Sequence, residues 1–201
     1  MQMIETTHEA ICHLKKNDEQ MKAAIDRIGA ISREKNDDIF VALIESILSQ
    51  QISGKAARTV RARLFSITGI VTVDRILECD EALLQSAGLS FRKVSYMKRT
   101  AQAIKDGIID INRLPLMNDA DIIAELVKLP GIGVWTAEML LIFSLGRQDV
   151  VSFNDFGIRK GMMKLYELPD LSKEQFIVYR NRYAPFGTAA SLYLWEIAGE
   201  K

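Results

Sequence analysis

Apolar residues return every three or four positions along most of this chain, the spacing that lays them on one face of an α-helix. Ile39, Phe40, Leu43, Ile44, Ile47 and Leu48 make the clearest stripe, and Ala56, Ala57, Val60 and Leu64 make the next, broken at Thr68-Gly69. A short helix is expected over Glu81 to Leu84, ended by Gly88. A longer one is expected over Phe91 to Ile104, with Val94, Met97, Ala101 and Ile104 inward and Gly107 as its stop. Further helices are expected from Ala120 to Val127, Val134 to Leu145, Asp155 to Tyr166, Ser172 to Tyr183 and Gly187 to Ala198, with Pro169 marking a break. No alternation of period two survives beyond a few residues, and no repeat of fixed length is visible. The pattern predicts an all-α fold, a compact array of short helices rather than a coiled coil.

Composition narrows the class. Apolar residues are 48% of the 201, enough for a sizeable packed interior, and four prolines with no low-complexity run argue against disorder. Lys plus Arg number 26 and Asp plus Glu number 26, so no overall basic charge advertises nucleic acid. Binding responds to where charges lie, and the stretches Arg58 to Arg63 and Arg159 to Lys164 lean basic, while Glu34 to Asp38 is mostly charged and Asp119 to Glu125 carries three acids. The only cysteines, Cys12 and Cys79, make neither a disulfide framework nor a CxxC pair. That count excludes four-cysteine iron–sulfur ligation and fits a reduced, cytoplasmic protein. His8 and His13 form no metal-ligand spacing and are expected at the surface. No run of about 18 apolar residues occurs, so no transmembrane helix is expected. The N-terminus lacks the basic start and apolar core of a signal peptide.

Candidate chemistry concentrates in two segments. In Leu129-Pro130-Gly131-Ile132-Gly133-Val134-Trp135-Thr136-Ala137, one helix ends and another begins within very few residues. Two glycines remove side chains where a backbone must approach something closely. The helix that follows offers N–H groups and a positive dipole end, a ready site for phosphate. A simple tight turn between helices would account for the same residues. The second segment is Val150-Val-Ser-Phe-Asn-Asp155-Phe-Gly-Ile-Arg-Lys160. Ser152-Phe-Asn-Asp155 fits a capping box with Ser152 or Asn154 as N-cap, so Asp155 reads either as a structural acid or as a carboxylate kept anionic for catalysis.

The hairpin resembles that of the helix-hairpin-helix DNA glycosylases, whose L-P-G-[IV]-G-x-x-T-A pattern precedes an essential aspartate; Asp155 lies 22 positions after Gly133. Ser46-Ile-Leu-Ser-Gln-Gln-Ile-Ser53 with Lys55-Ala-Ala-Arg58, Gly88-Leu-Ser-Phe-Arg-Lys-Val-Ser-Tyr96 and Leu192-Tyr-Leu-Trp195 match further segments in the family's order, over residues from about 38 to 198. The nearest branch is that of the alkylated-base (3-methyladenine) DNA glycosylase II enzymes. The resemblance implies two helical lobes with the active site in the cleft between them. Residues 37 to 147 would form the middle lobe, with the hairpin at its end, and residues 1 to 36 plus 148 to 201 the second. Larger relatives carry an extra N-terminal β domain, for which this chain is too short.

The activity implied is hydrolysis of the N-glycosidic bond of alkylated purines in double-stranded DNA, after the base has left the stack. Asp155 would stabilise positive charge on the departing sugar and orient or deprotonate water. In the family's lyase branch the position two after the second hairpin glycine is a lysine that forms a Schiff base. Here it is Trp135, so the resemblance implies a monofunctional hydrolase. Trp135 and Trp195 match aromatic positions around the base pocket and would attract a cationic base through their faces. Met139 stands where some relatives have a pocket tyrosine, which leaves the range of bases open. Gln51 and Ile52 match the side chain that fills the gap left by the flipped base, although Gln51 departs from the apolar wedge common there. A helix-end glutamine followed by a buried isoleucine is the alternative. Gly131, Gly133 and Thr136 would face phosphates. Main-chain carbonyls of Val127, Leu129 and Ile132 match those that hold a monovalent cation, Na+ or K+; no cofactor is required. The expected partner is damaged double-stranded DNA, bound by a monomer with no membrane association, in the cytoplasm at the nucleoid. A glycosylase for an oxidised purine or mismatched pyrimidine, and a non-catalytic hairpin DNA-binding module, remain alternatives.

Overall fold

A computed structural model describes residues 2–200 of the chain. They form two compact units: residues 2–35 with 141–200, and residues 36–140. The sequence reading set the later boundary after residue 147. In the structure the division falls between residues 140 and 141, within a helix, and beyond it Phe143 packs face to face with Trp195 at 5.6 Å between ring centroids. No helix among the described residues is long and apolar enough to cross a membrane.

The first unit opens with β1 (Met3–Glu5), α1 (His8–Asn17), α2 (Glu19–Ile28) and β2 (Ser32–Glu34). The strands pair antiparallel, Met3 opposite Glu34, and add a small sheet to the all-α expectation. At three residues each they are too short to show a period of two. Asp18 alone joins α1 to α2. Its N–H donates to the Leu14 carbonyl, closing the first helix, and its side chain accepts from Met21 N at 2.8 Å, opening the second.

Three more helices complete this unit: α10 (Phe156–Leu165), α11 (Lys173–Tyr183) and α12 (Gly187–Gly199). Leu14, Met21, Ile25, Ile158, Met162 and Leu194 are among its buried core. Gly161 lets α10 lie directly on α12, since a Cβ there would sit 2.0 Å from the Leu194 carbonyl oxygen. Asp18 Oδ2 also accepts from the Tyr166 hydroxyl at 2.6 Å and from Arg182 at 3.1 Å, and Tyr166 O–H lies 2.8 Å from Tyr183 O–H. Burial pushes both phenols above their usual range, so they stay protonated. Asp18→Ala removes a helix cap and a charge-assisted hydrogen bond; it should lower stability by about 2 kcal/mol, read as a melting temperature lower by roughly 4–8 °C.

The second unit contains α3 (Ile39–Ser49), α4 (Gly54–Thr68), α5 (Val73–Glu78), α6 (Glu81–Ser86), α7 (Phe91–Lys105), α8 (Asp119–Leu126) and the start of α9 (Val134–Phe143). The apolar stripes read from the sequence are its interior: Phe40, Leu43, Ile44 and Ile47 on α3, Val94, Met97 and Ala101 on α7. Asp38, Ser53, Ser90 and Asn118 each cap a helix by accepting an N–H of its first turn. The short α5 has too few turns to declare itself by periodicity.

Candidate active site

Asp155 is the N-cap of α10, with β-region backbone angles, and its Oδ1 accepts the Ile158 N–H at 2.8 Å. This corrects the capping expectation: neither Ser152 nor Asn154 caps the helix. The same Oδ1 accepts the indole N–H of Trp195 at 2.9 Å, from α12. The carboxylate is therefore held from its own helix and from a neighbouring one, and its residue is only 7% exposed. Gly157 makes the approach possible. A Cβ there would lie 2.7 Å from Trp195 Cδ1 and 3.1 Å from Asp155 Oδ1.

The segment leading to Asp155 is tied to the start of α12. Thr188 Oγ1 donates to the Arg147 carbonyl at 2.6 Å and accepts from Val150 N at 3.1 Å, and Thr188 N donates to the Gln148 carbonyl. Ser191 Oγ donates to the Val150 carbonyl, and Asp149 takes up Gly187 N and Arg180 at 3.0 and 2.9 Å. A loop with this many cross-ties delivers its aspartate at a fixed place. Nothing in the local sequence marks these partners, which lie 31 to 41 residues away.

The hairpin belongs to the second unit. Gly131 has φ +83°, and a Cβ on it would lie 2.4 Å from the Tyr96 ring, so the position requires glycine on two counts. Nothing stands within 4 Å of where a Gly133 Cβ would be. The Val127 residue caps the C-terminus of α8, and Ile132 N donates to the Leu129 carbonyl at 3.2 Å. Beyond the turn, Trp135 is 45% exposed, which removes it from the core, while Thr136 is buried.

Trp135, Thr136, Met139 and Gln51 line one cavity of about 350 Å3, together with Ser46, Ser49, Gln50 and Arg92. Ile52 is not among its walls and is 38% exposed, so the buried-isoleucine alternative does not hold. Gln51 adopts φ +56°, a left-handed backbone uncommon for a residue with a side chain. Around this turn the sequence leans basic: residues 46–73 carry Lys55, Arg58, Arg61 and Arg63 and no acid, with Arg61 paired to Glu45 just before them. The neutral total thus hides a basic segment. Among the described residues no group of His, Cys, Asp and Glu could hold a metal ion.

Asp155 and Trp195 are thus joined in one unit, and Gln51, Trp135, Thr136 and Met139 are gathered in the other. Gln50, Arg92, Gly157 and Phe143 were not singled out from the sequence. The pair Gly157–Trp195 could have been suspected only from a glycine placed inside a helix, where it is otherwise disfavoured.

Residues 44–181 match the HhH-GPD superfamily of base excision DNA repair proteins. The chain is 33% identical over 204 aligned positions to DNA-3-methyladenine glycosylase 1 of Schizosaccharomyces pombe, covering 97% of this chain and 89% of that one. A DNA-3-methyladenine glycosidase from Bacillus halodurans has the same fold, with a TM-score of 0.88 at 30% identity over 99% of this chain and 93% of that one. A 3-methyladenine DNA glycosylase of Schizosaccharomyces pombe, solved in complex with abasic DNA, superposes with a TM-score of 0.82 at 33% identity, over 94% of this chain and 95% of its own. On a family match over residues 44–181 and 33% identity to a relative covered over 89% of its length, the chain belongs to the HhH-GPD superfamily of base excision DNA repair proteins.

Proposed function

We propose that this protein is a monofunctional DNA glycosylase that hydrolyses the N-glycosidic bond of alkylated purines, such as 3-methyladenine, in double-stranded DNA. The observation that carries the reading is the near-buried Asp155 carboxylate, fixed by the Ile158 and Trp195 N–H groups. As the base departs, positive charge develops on the sugar, and an immobile anion stabilises it without reorganising. The same carboxylate would orient the attacking water. An alkylated purine already carries positive charge, so the leaving group needs little protonation. The half-exposed Trp135 face in the 350 Å3 cavity suits such a cation. No lysine occupies position 135, so Schiff-base chemistry has no nucleophile there. Met139 makes the cavity less aromatic than a tyrosine would, which favours bases that bind by charge and shape over those needing a second stacking face.

DNA would dock by its phosphates on the hairpin at Gly131 and Gly133, where the start of α9 presents N–H groups, with Gln51 filling the gap left by the flipped nucleotide. The carbonyls of Val127, Leu129 and Ile132 suit a monovalent cation: they are hard oxygen donors, Val127 lies at the negative end of α8, and the Leu129 oxygen accepts one hydrogen bond, leaving a lone pair. Bound there, Na+ or K+ would cross-tie the turn and add positive charge beside the phosphates.

Incubation with alkylated duplex DNA tests the proposal. Free 3-methyladenine should appear, with abasic sites that break only on later alkali treatment. Strand breaks without alkali, or borohydride trapping of a protein–DNA adduct, would mean a lyase instead. Salt-sensitive DNA binding without base release would leave only a hairpin binding module. Trp195→Phe isolates the indole hydrogen bond, since phenylalanine still packs on Phe143. Base release should slow about tenfold, with the melting temperature lowered by only a few degrees.

A further inference from the structure

The turn that carries Gln51 and the glycine hairpin are separated by some 80 residues of sequence, yet a single side chain connects them. Gln50 Nε2 donates to the Gly131 carbonyl at 2.7 Å, across 81 positions. On the other side of that turn, Lys93 Nζ donates to the carbonyls of Leu48 and Gln50, both at 2.7 Å, satisfying the last turn of α3. Its neighbour Arg92 reaches Gln51 Oε1 at 3.5 Å. One turn along the same helix, the Tyr96 ring occupies the space a Gly131 Cβ would take. The first two turns of α7 therefore touch both functional segments, and Gln50 closes the loop between them.

We infer that Gln50 and Lys93 are positioning residues that hold the gap-filling turn in register with the phosphate-gripping hairpin, so that docking the backbone and expelling the target base become one coupled step. The inference rests on the assignment of Gln51 as the gap-filling side chain. Two features show that the register needs enforcing. Gln51 sits at φ +56°, a conformation that persists only when its surroundings over-determine it. Lys93 donates to two main-chain oxygens of this one turn from a part-buried position, which makes it a bracket for the turn; partial burial, and secondarily Arg92, pull its ammonium below the usual lysine range. Neither residue needs to touch the reacting atoms. Their effect would be confined to substrates whose base must be forced out of a stacked, paired duplex.

The test compares two duplexes carrying the same N-alkylpurine, one with the lesion paired and one with it unpaired in a single-nucleotide bulge. A 2-aminopurine beside the lesion reports unstacking by stopped-flow fluorescence, and base release is followed under single turnover. Gln50→Met keeps the side-chain length and removes the donor. It should slow unstacking about tenfold on the paired duplex; Gln50 also lines the base cavity, so unstacking rather than release is read for this variant. Lys93→Met, at a residue outside the cavity wall, should slow unstacking and release about tenfold on the paired duplex and less than about twofold on the bulge, and Lys93→Arg, which can still donate to both carbonyls, should restore most of the rate. Thermal melting guards against misfolding; the bulge substrate does so internally, because a damaged fold slows both duplexes equally. Equal slowing of both duplexes by Lys93→Met, or no slowing of the paired duplex by either variant, overturns the inference. Gln51→Ala in the same assay separates the two ideas. If it slows the paired duplex while Gln50→Met does not, the coupling alone is wrong. If it slows neither, the gap-filling assignment fails and the coupling with it.

Discussion

Asp155→Asn should reduce base release by a factor of about a thousand while leaving the fold and DNA binding intact. The substitution is nearly isosteric, and asparagine caps helices as well as aspartate does. Its side-chain oxygen can still accept the Ile158 N–H and the Trp195 indole N–H, now at 2.8 and 2.9 Å from Asp155 Oδ1. The negative charge is lost, together with its capacity to accept a proton from water. Single-turnover release from alkylated DNA measures the first effect, fluorescence anisotropy on an abasic duplex the binding, and thermal melting the fold. A variant retaining a tenth or more of the rate would reduce Asp155 to a helix cap. Asp155→Ala is the less informative change, because it removes cap and charge together.

Gly161→Val should be the most destabilising single substitution at a glycine in this chain. A Cβ at this position would meet the Leu194 carbonyl oxygen at 2.0 Å, the carbonyl carbon at 2.7 Å and the Cα at 3.0 Å. All three are backbone atoms, so no side-chain rotation relieves the overlap. The helices α10 and α12 must move apart, and with them the two elements that deliver Asp155 and Trp195. A loss of at least about 3 kcal/mol is expected, seen as a melting temperature lower by roughly 6–12 °C. Activity should fall below what stability alone explains, since the Trp195–Asp155 hydrogen bond spans the same pair of helices. Gly199→Ala, on α12 with nothing within 4 Å of the added methyl, is the control and should melt normally. A melting temperature for Gly161→Val within 2 °C of the parent would show that the helices can separate at little cost.

Local pattern carried much of the reading, and its failures are instructive. The α3 and α7 helices were legible because a stripe of apolar residues at helical spacing has few other uses. The helices α1, α2 and α5 and the paired strands β1 and β2 were not singled out. The helix α5 is only six residues long, and α1, α2 and the strands are held through Asp18 and Thr6 by bonds to distant partners such as Tyr166 and Ile31. The start of α10 was read as belonging to Ser152 or Asn154 because a cap is recognised from residue type, and three adjacent candidates share the required chemistry. Only the backbone conformation of Asp155 chose among them.

Residue identity alone therefore determined the chemistry this protein can perform. A glycine hairpin, a tryptophan at position 135 and an aspartate 22 positions after Gly133 are properties of the linear chain, and so is membership of a repair family. What only the tertiary structure decided is how each group is held. The Trp195 donor on Asp155, the contact of Gly161 with Leu194, and the reach of Gln50 to Gly131 join residues 33 to 81 positions apart. The reason is that helical periodicity encodes which face of an element is buried, whereas hydrogen bonds and close backbone contacts between elements depend on where separate helices come to rest.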